Sequence, residues 1–193
     1  LVSAGDWGNP LSFGSSLSGF LWERDEGFYY RASGAEFLVN AHRAGWSSDV
    51  RLFSERQGSV STRPMYLADG TFGPNISADP GAFYGLSMRS AAAFGSYPHG
   101  FSGTTVLRGE VAAQDRDSAY LRFSYDATLS RNLLWGFGAS LGFSHGMTQG
   151  EVTPQREWYL GGTQTIRGQL PDTAVHGRNF WMGHMELARQ VPG

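Results

Sequence analysis

Gly142-Phe143-Ser144-His145-Gly146 matches the G-x-S-x-G pattern that places a nucleophilic serine on a sharp strand-to-helix turn. Met147-Thr148-Gln149-Gly150 follows, which is no helix, and in a chain this rich in Gly and Ser the match arises easily, so no catalytic residue is expected. The five histidines, at 42, 99, 145, 176 and 184, show neither i,i+4 helical pairing nor the tight clustering of a metal site. No metal and no cofactor are expected. The more informative pair is Arg167 and Glu186. Arg167 stands in a turn-rich stretch between Gly161-Gly162 and Gly168, where the backbone turns sharply and approaches other groups closely. Glu186 follows on a strand, sharing its parity with Phe180, Met182 and His184. A guanidinium brought to a carboxylate pairs with it bidentately. Taken alone, the two residues read by default as an exposed loop arginine and an unrelated strand glutamate.

The elements that must position this pair read as strands. Runs are expected at Leu11–Trp22, Phe28–Ala41, Trp46–Arg56, Phe83–Gly95, Phe101–Ala113, Ser118–Leu129 and Asn132–Ser144, with an eighth after residue 177 carrying Glu186. The sixth is the clearest: Ala119, Leu121, Phe123, Tyr125, Ala127 and Leu129 alternate with Ser118, Tyr120, Arg122, Ser124, Asp126 and Thr128. The seventh alternates Leu133, Trp135, Phe137, Ala139, Leu141 and Phe143 with small or polar residues. In the second, the apolar parity changes near Gly34-Ala35-Glu36, which predicts a bulge. Long connections are expected at 57–82 and 145–177, and short ones at 42–45, 96–100 and 130–131, on the opposite end.

Composition narrows the class. Of 193 residues 27 are Gly and 14% are aromatic, without a Gly-X-Y period, a pairing typical of barrels of short even strands. All 15 basic residues are Arg and the net charge is −2, so no nucleic-acid partner is expected. Cysteine is absent, which excludes disulfides and thiolate metal sites. No run is apolar enough for a transmembrane helix, but a barrel strand meets the bilayer only at every second residue. An arginine facing lipid near the bilayer centre costs about 2–4 kcal/mol. Arg89, Arg108 and Arg122 all oppose the apolar face, so that face suits hydrocarbon and the other a polar lumen. Leu121, Phe123, Leu133, Phe137 and Leu141 are expected toward lipid, and Arg122, Asp126, Gly138 and Ser140 inward. Trp46, Trp135, Trp158 and Trp181 suit interfacial girdles.

The succession Leu160-Gly161-Gly162, Ile166-Arg167-Gly168 and then Glu186-Leu187 on a strand resembles the barrel of the BamA/TamA-type outer-membrane assembly superfamily, the bacterial surface antigens. The resemblance implies a partial antiparallel transmembrane β-barrel, residues 1–193 supplying about eight strands, the fifth to twelfth of sixteen. It implies that 145–177 folds back into the lumen and that Arg167 pairs with Glu186 on the inner wall. Gln169 stands where the family usually has an aromatic residue. Outer-membrane lipid, further strands or another chain completing the barrel, and client outer-membrane proteins are the implied partners, in the bacterial outer membrane. The implied work is insertion or export of other outer-membrane proteins. The alternatives are a passive barrel anchoring another domain or partner complex, and, last, a soluble β-sandwich enzyme using Ser144. Leu1–Pro10 carries no signal peptide, so the chain reads as a mature, internal piece of something longer.

Overall fold

The computed structural model of the chain describes residues 2–3, 29–60, 76–95, 100–115, 118–133, 136–161, 165–166 and 175–189. The architecture is all-β. One antiparallel sheet contains β1 (Val2–Ser3), β2 (Tyr29–Arg43), β3 (Trp46–Ser59), β4 (Gly81–Gly95), β5 (Phe101–Gln114), β6 (Ser118–Asn132), β7 (Phe137–Gly150) and β10 (Asn179–Arg189), in that spatial order. Between β7 and β10 lie a 3-10 turn (Pro154–Arg156) and a small hairpin-like sheet of β8 (Trp158–Leu160) and β9 (Val175–Gly177). Among the described residues the large sheet is open, with β1 at one edge and β10 at the other. The expected strand at Leu11–Trp22 lies outside the described residues.

Registers run without interruption from β2 through β10, so one residue of each opposed pair can be followed across the whole sheet. Directly opposed residues share a face. One face carries Glu36, Arg51, Ser87, Glu110, Arg122 and Thr148 and is covered by residues 151–161. Nothing among the described residues covers the other, the open face, which carries Phe37, Leu52, Leu86, Val111, Leu121 and Met185, all exposed. Leu121, Phe123, Phe137 and Leu141 lie on the open face and Arg122, Asp126, Gly138 and Ser140 on the covered one, as expected. Leu133 falls after β6 instead.

Two expectations change. No bulge interrupts β2: Tyr30 through Arg43 pairs residue by residue with Ser59 through Trp46. The parity change has a different cause. Tyr30 and Ala32 are apolar on the covered face because they pack against Ile76, Ala78 and Tyr159, whereas Phe37 and Val39 are apolar on the open one. Gly34 nevertheless marks a close approach, since a Cβ there would lie 2.1 Å from the Ser54 carbonyl oxygen and 2.6 Å from Glu55 Cα. The second change is β7, which runs from Phe137 to Gly150 and so takes residues 145–150 out of the connection expected at 145–177. Asn132 closes β6, and the turn that follows has Gly136 at φ 74° with the Leu133 amide donating to the Phe137 carbonyl at 2.7 Å. The apolar alternation continued in phase through that turn, which hid it.

Gly34→Val should lower stability by roughly 1–3 kcal/mol through overpacking against backbone that cannot yield. Gly109→Ala, where an added Cβ meets nothing within 4 Å, should be near neutral. Denaturant unfolding compares the two.

Candidate functional site

The covered face is built around Gln155 and Arg156. Thr153 is extended ahead of Pro154, as a residue before proline prefers, and the proline ring presets the first residue of the turn. The Arg156 amide donates to the Thr153 carbonyl at 2.9 Å and the Glu157 amide to the Pro154 carbonyl at 3.2 Å. This tight turn aims two long polar side chains at the sheet.

Gln155 is 1% exposed, so every polar atom on its amide needs a partner. Its Oε1 accepts from the Asp79 amide at 3.0 Å, and its Nε2 donates to the Asp79 carbonyl and to Gln57 Oε1, each at 3.0 Å. The side chain thereby ties the connection after β3 to the connection after β7. Gln57 in turn donates to Glu55 Oε1 at 2.6 Å.

Arg156 reaches deeper. Its Nη2 donates to Glu55 Oε1 at 3.2 Å, while Nε faces Glu110 Oε1 at 3.5 Å as an ion pair without hydrogen-bond geometry. Tyr120 donates its hydroxyl to the same Glu110 oxygen at 2.7 Å. Arg51 extends the network outward, donating to Glu55 Oε2 at 2.8 Å and to Glu36 Oε2 at 2.6 Å. Burial alone would lower the Arg156 pKa, but Glu110, the two tyrosines Tyr30 and Tyr120, and Glu55 outweigh it, and the pKa stands above the ordinary arginine value. The cation is therefore permanent. Beside it, the Arg122 guanidinium lies 3.6 Å over the Trp158 ring, and Trp158 packs against Phe180 at 5.1 Å between centroids. Tyr159, which stacks on His176 at 5.5 Å, has its pKa raised to about 12 by burial and then by Glu157.

Glu186 lies on the covered face of β10, opposite Ser140, as its parity implied. The Gly161 end of the predicted motif is closed by the Thr165 hydroxyl, which accepts from the Gly161 amide at 2.7 Å and donates to its carbonyl at 2.8 Å. Thr165 and Ile166 line a cavity of about 710 Å³ with Arg108, Asp126, His184 and Glu186. Gly162, Arg167 and Gly168 lie outside the described residues. Ser144 sits mid-strand rather than on a strand-to-helix elbow and donates to Asp126 Oδ1 at 2.6 Å, while His145 points to the other face. Trp158, part of the covering segment, is buried against the sheet beside Arg122 and Phe180, whereas Trp46 and Trp181 are exposed on the open face; Trp135 lies outside the described residues. Among the described residues no group of three or more His, Cys, Asp or Glu is arranged to hold a metal ion.

Sequence reasoning did not single out Gln155, Arg156 or Glu110. Their signal was present but diffuse: Glu55, Gln57, Glu110 and Arg122 share one strand face by parity, and Pro154-Gln155-Arg156 opens the connection that had to cross that face. Comparison with known protein families, with characterised proteins and with solved structures finds no match.

Arg156→Ala leaves Glu55 and Glu110 facing each other under the segment and should cost about 3–5 kcal/mol. Arg156→Lys should recover less than half of this, because the planar fork is lost. Limited proteolysis within 151–161 together with denaturant unfolding measures both.

Proposed function

We propose that this sheet is part of the wall of a transmembrane β-barrel in a bacterial outer membrane. The open face meets lipid, the covered face lines the lumen, and residues 151–161 form a plug inside it. One observation carries the reading. Every Asp and Glu in the strands (Glu36, Asp49, Glu55, Glu110, Asp126 and Glu186) lies on the covered face, while the open face is charged only at its two ends. Arg31 and Arg56 stand at the end with long connections, and Arg43, Arg131 and Arg189 at the end with short ones. Between them runs a band of exposed Leu, Val, Phe and Met. In water such a continuous patch drives association; in hydrocarbon it is the required surface. Strands of 14 or 15 residues exceed the 9–11 that a tilted strand needs to cross. Because hydrocarbon tolerates no unpaired strand edge, the outer edge of β10, and that of β2 beyond its short pairing with β1, must be completed by further strands, from the same polypeptide or another.

The work we assign to this wall is that of the family the motif resembles: inserting or exporting other outer-membrane proteins, without covalent chemistry or cofactor. Arg167 is proposed to reach Glu186 across the cavity that Thr165 and Ile166 already line. A barrel that only anchors a partner would share the wall and the plug. The two part on a proteoliposome assay: an assembly protein accelerates folding of an added outer-membrane client, and a passive anchor does not. Arg167→Glu and Glu186→Arg should each abolish the acceleration, and combining them should restore it in part; a double variant no better than either single one removes the pair.

The lipid-facing reading is tested by single cysteines, which the cysteine-free chain makes unambiguous. In outer membranes, Leu121→Cys and Leu141→Cys should react with a lipid-soluble maleimide and resist a charged one, while Thr128→Cys and Ser140→Cys should do the reverse. Equal reaction of both sets with the charged reagent would remove the membrane assignment.

A further inference from the structure

The arginines of the two faces are compensated in different ways. On the covered face Arg51 pairs with Glu36 and Glu55, Arg89 with Asp49 at 3.9 Å, Arg108 with Asp126, and Arg156 of the plug with Glu55 and Glu110. On the open face Arg43, Arg131 and Arg189 have no carboxylate partner among the described residues, and no strand acid lies on that face at all. The connections at their end supply none either. Residues 44–45 are Ala-Gly, 96–100 are Ser-Tyr-Pro-His-Gly, and 133–136 are Leu-Leu-Trp-Gly. At the opposite end, by contrast, the connections contain Asp79, Asp115, Glu151 and Glu157. Among the described residues, the short-connection rim of the apolar face is thus positive with no carboxylate to neutralise it.

Two of these arginines are seated. The Arg131 guanidinium lies 4.6 Å over the Phe101 ring directly opposite it on β5, and Arg189 lies 5.5 Å from the ring of Phe137, directly opposite it on β7. Stacking on a ring uses the face of the guanidinium and leaves its N–H fork directed outward, the geometry that grips a phosphate bidentately. Register places the two on strands either side of β7 and two residues apart along it, since Arg131 opposes Ala139 and Arg189 opposes Phe137, so each fork is positioned to address its own anion. Trp46 and Phe94 complete an aromatic fringe at the same height.

We propose that Arg131 and Arg189, on their Phe101 and Phe137 seats, are binding positions for the phosphates of anionic phospholipids along the short-connection rim, with Arg43 adding to the same positive margin. This rests on the lipid-facing reading of the open face. The pairing is complementary in charge and in height: the guanidiniums stand where an apolar band ends, which is where a bilayer presents its phosphates.

The test titrates phosphatidylglycerol, and separately phosphatidylcholine, into the full chain in non-ionic detergent micelles. The wild-type chain should prefer phosphatidylglycerol. Arg131→Gln combined with Arg189→Gln should weaken its binding roughly thirtyfold, taking about fivefold for each surface arginine. Arg131→Lys with Arg189→Lys should keep most of the affinity, because the charge remains, and Arg89→Gln on the covered face should leave it unchanged. The site is overturned if the double glutamine variant binds phosphatidylglycerol like wild type, or if phosphatidylcholine binds equally well. It is also overturned as a lipid site if inorganic phosphate at the same concentration displaces the phospholipid. The cysteine labelling at Leu121 and Leu141 separates the two readings. If those positions react from lipid while the double variant binds normally, only the headgroup site falls. If they react from water, both fall.

Discussion

Alternation along a strand forces a choice that every residue of the sheet inherits. Moving one strand by a single residue against its neighbour would carry its acids to the face that holds the apolar band and its leucines to the face that holds the plug. Six carboxylates from five different strands stay on one side only because the pairing from β2 to β10 is unbroken. On the covered face Glu36, Asp49, Glu55, Glu110 and Asp126 each meet an arginine, and Glu110 and Asp126 a hydroxyl as well; in the middle of the apolar face a carboxylate would stand among exposed Leu, Val, Phe and Met. Continuous register is therefore the condition on which both faces depend, and the plug is placed by it.

The ion network under the plug follows from that condition. Gathering acids on one face gathers their repulsion as well, and Glu55 and Glu110 converge on the same guanidinium because Arg156 is delivered between them. A buried network of this kind adds little net stability compared with a well-packed apolar core, but it accepts only one partner geometry. Gln155 adds a second, neutral discrimination: its amide satisfies the backbone of Asp79 on both sides, as a paired strand would. Together they fix which segment crosses the covered face and at what height, and they leave the cavity by Glu186 open to whatever follows Ile166. Around this polar centre two small apolar clusters, Tyr30 with Ile76, Ala78 and Tyr159, and Phe53 with Phe83, Ala112 and Tyr120, exclude water from its flanks.

The close-packed glycines of β7 belong to the same design. A Cβ at Gly142 would fall within the His184 ring, and one at Gly146 would lie 2.2 Å from the Phe180 ring. The side chains of β10 therefore lie across β7 in space that only glycine leaves. Phe180 reaches Trp158 by that route and braces the plug from below. Small residues on the covered face of one strand let aromatic and ionisable ones on the next lean inward.

Much of this was legible in the residues themselves. Period-two alternation determined the strand class and which residues of β4, β5 and β6 share a face, because side-chain direction along a strand is a local property of the backbone, and the short connections suited antiparallel neighbours. The inward parity of Glu186 was legible for the same reason. Tertiary contact decided the rest. Tyr30 and Ala32 are apolar on the covered face for the sake of the plug, so composition alone suggested a bulge that is not there. The turn after Asn132 kept the apolar rhythm and so displaced β7 in the reading by several residues. Arg156, the residue on which the covered face converges, carries no local mark of its role. Its partners Glu55 and Glu110 are 55 positions apart in the chain, and only the register across β3, β4 and β5 brings their carboxylates to one guanidinium.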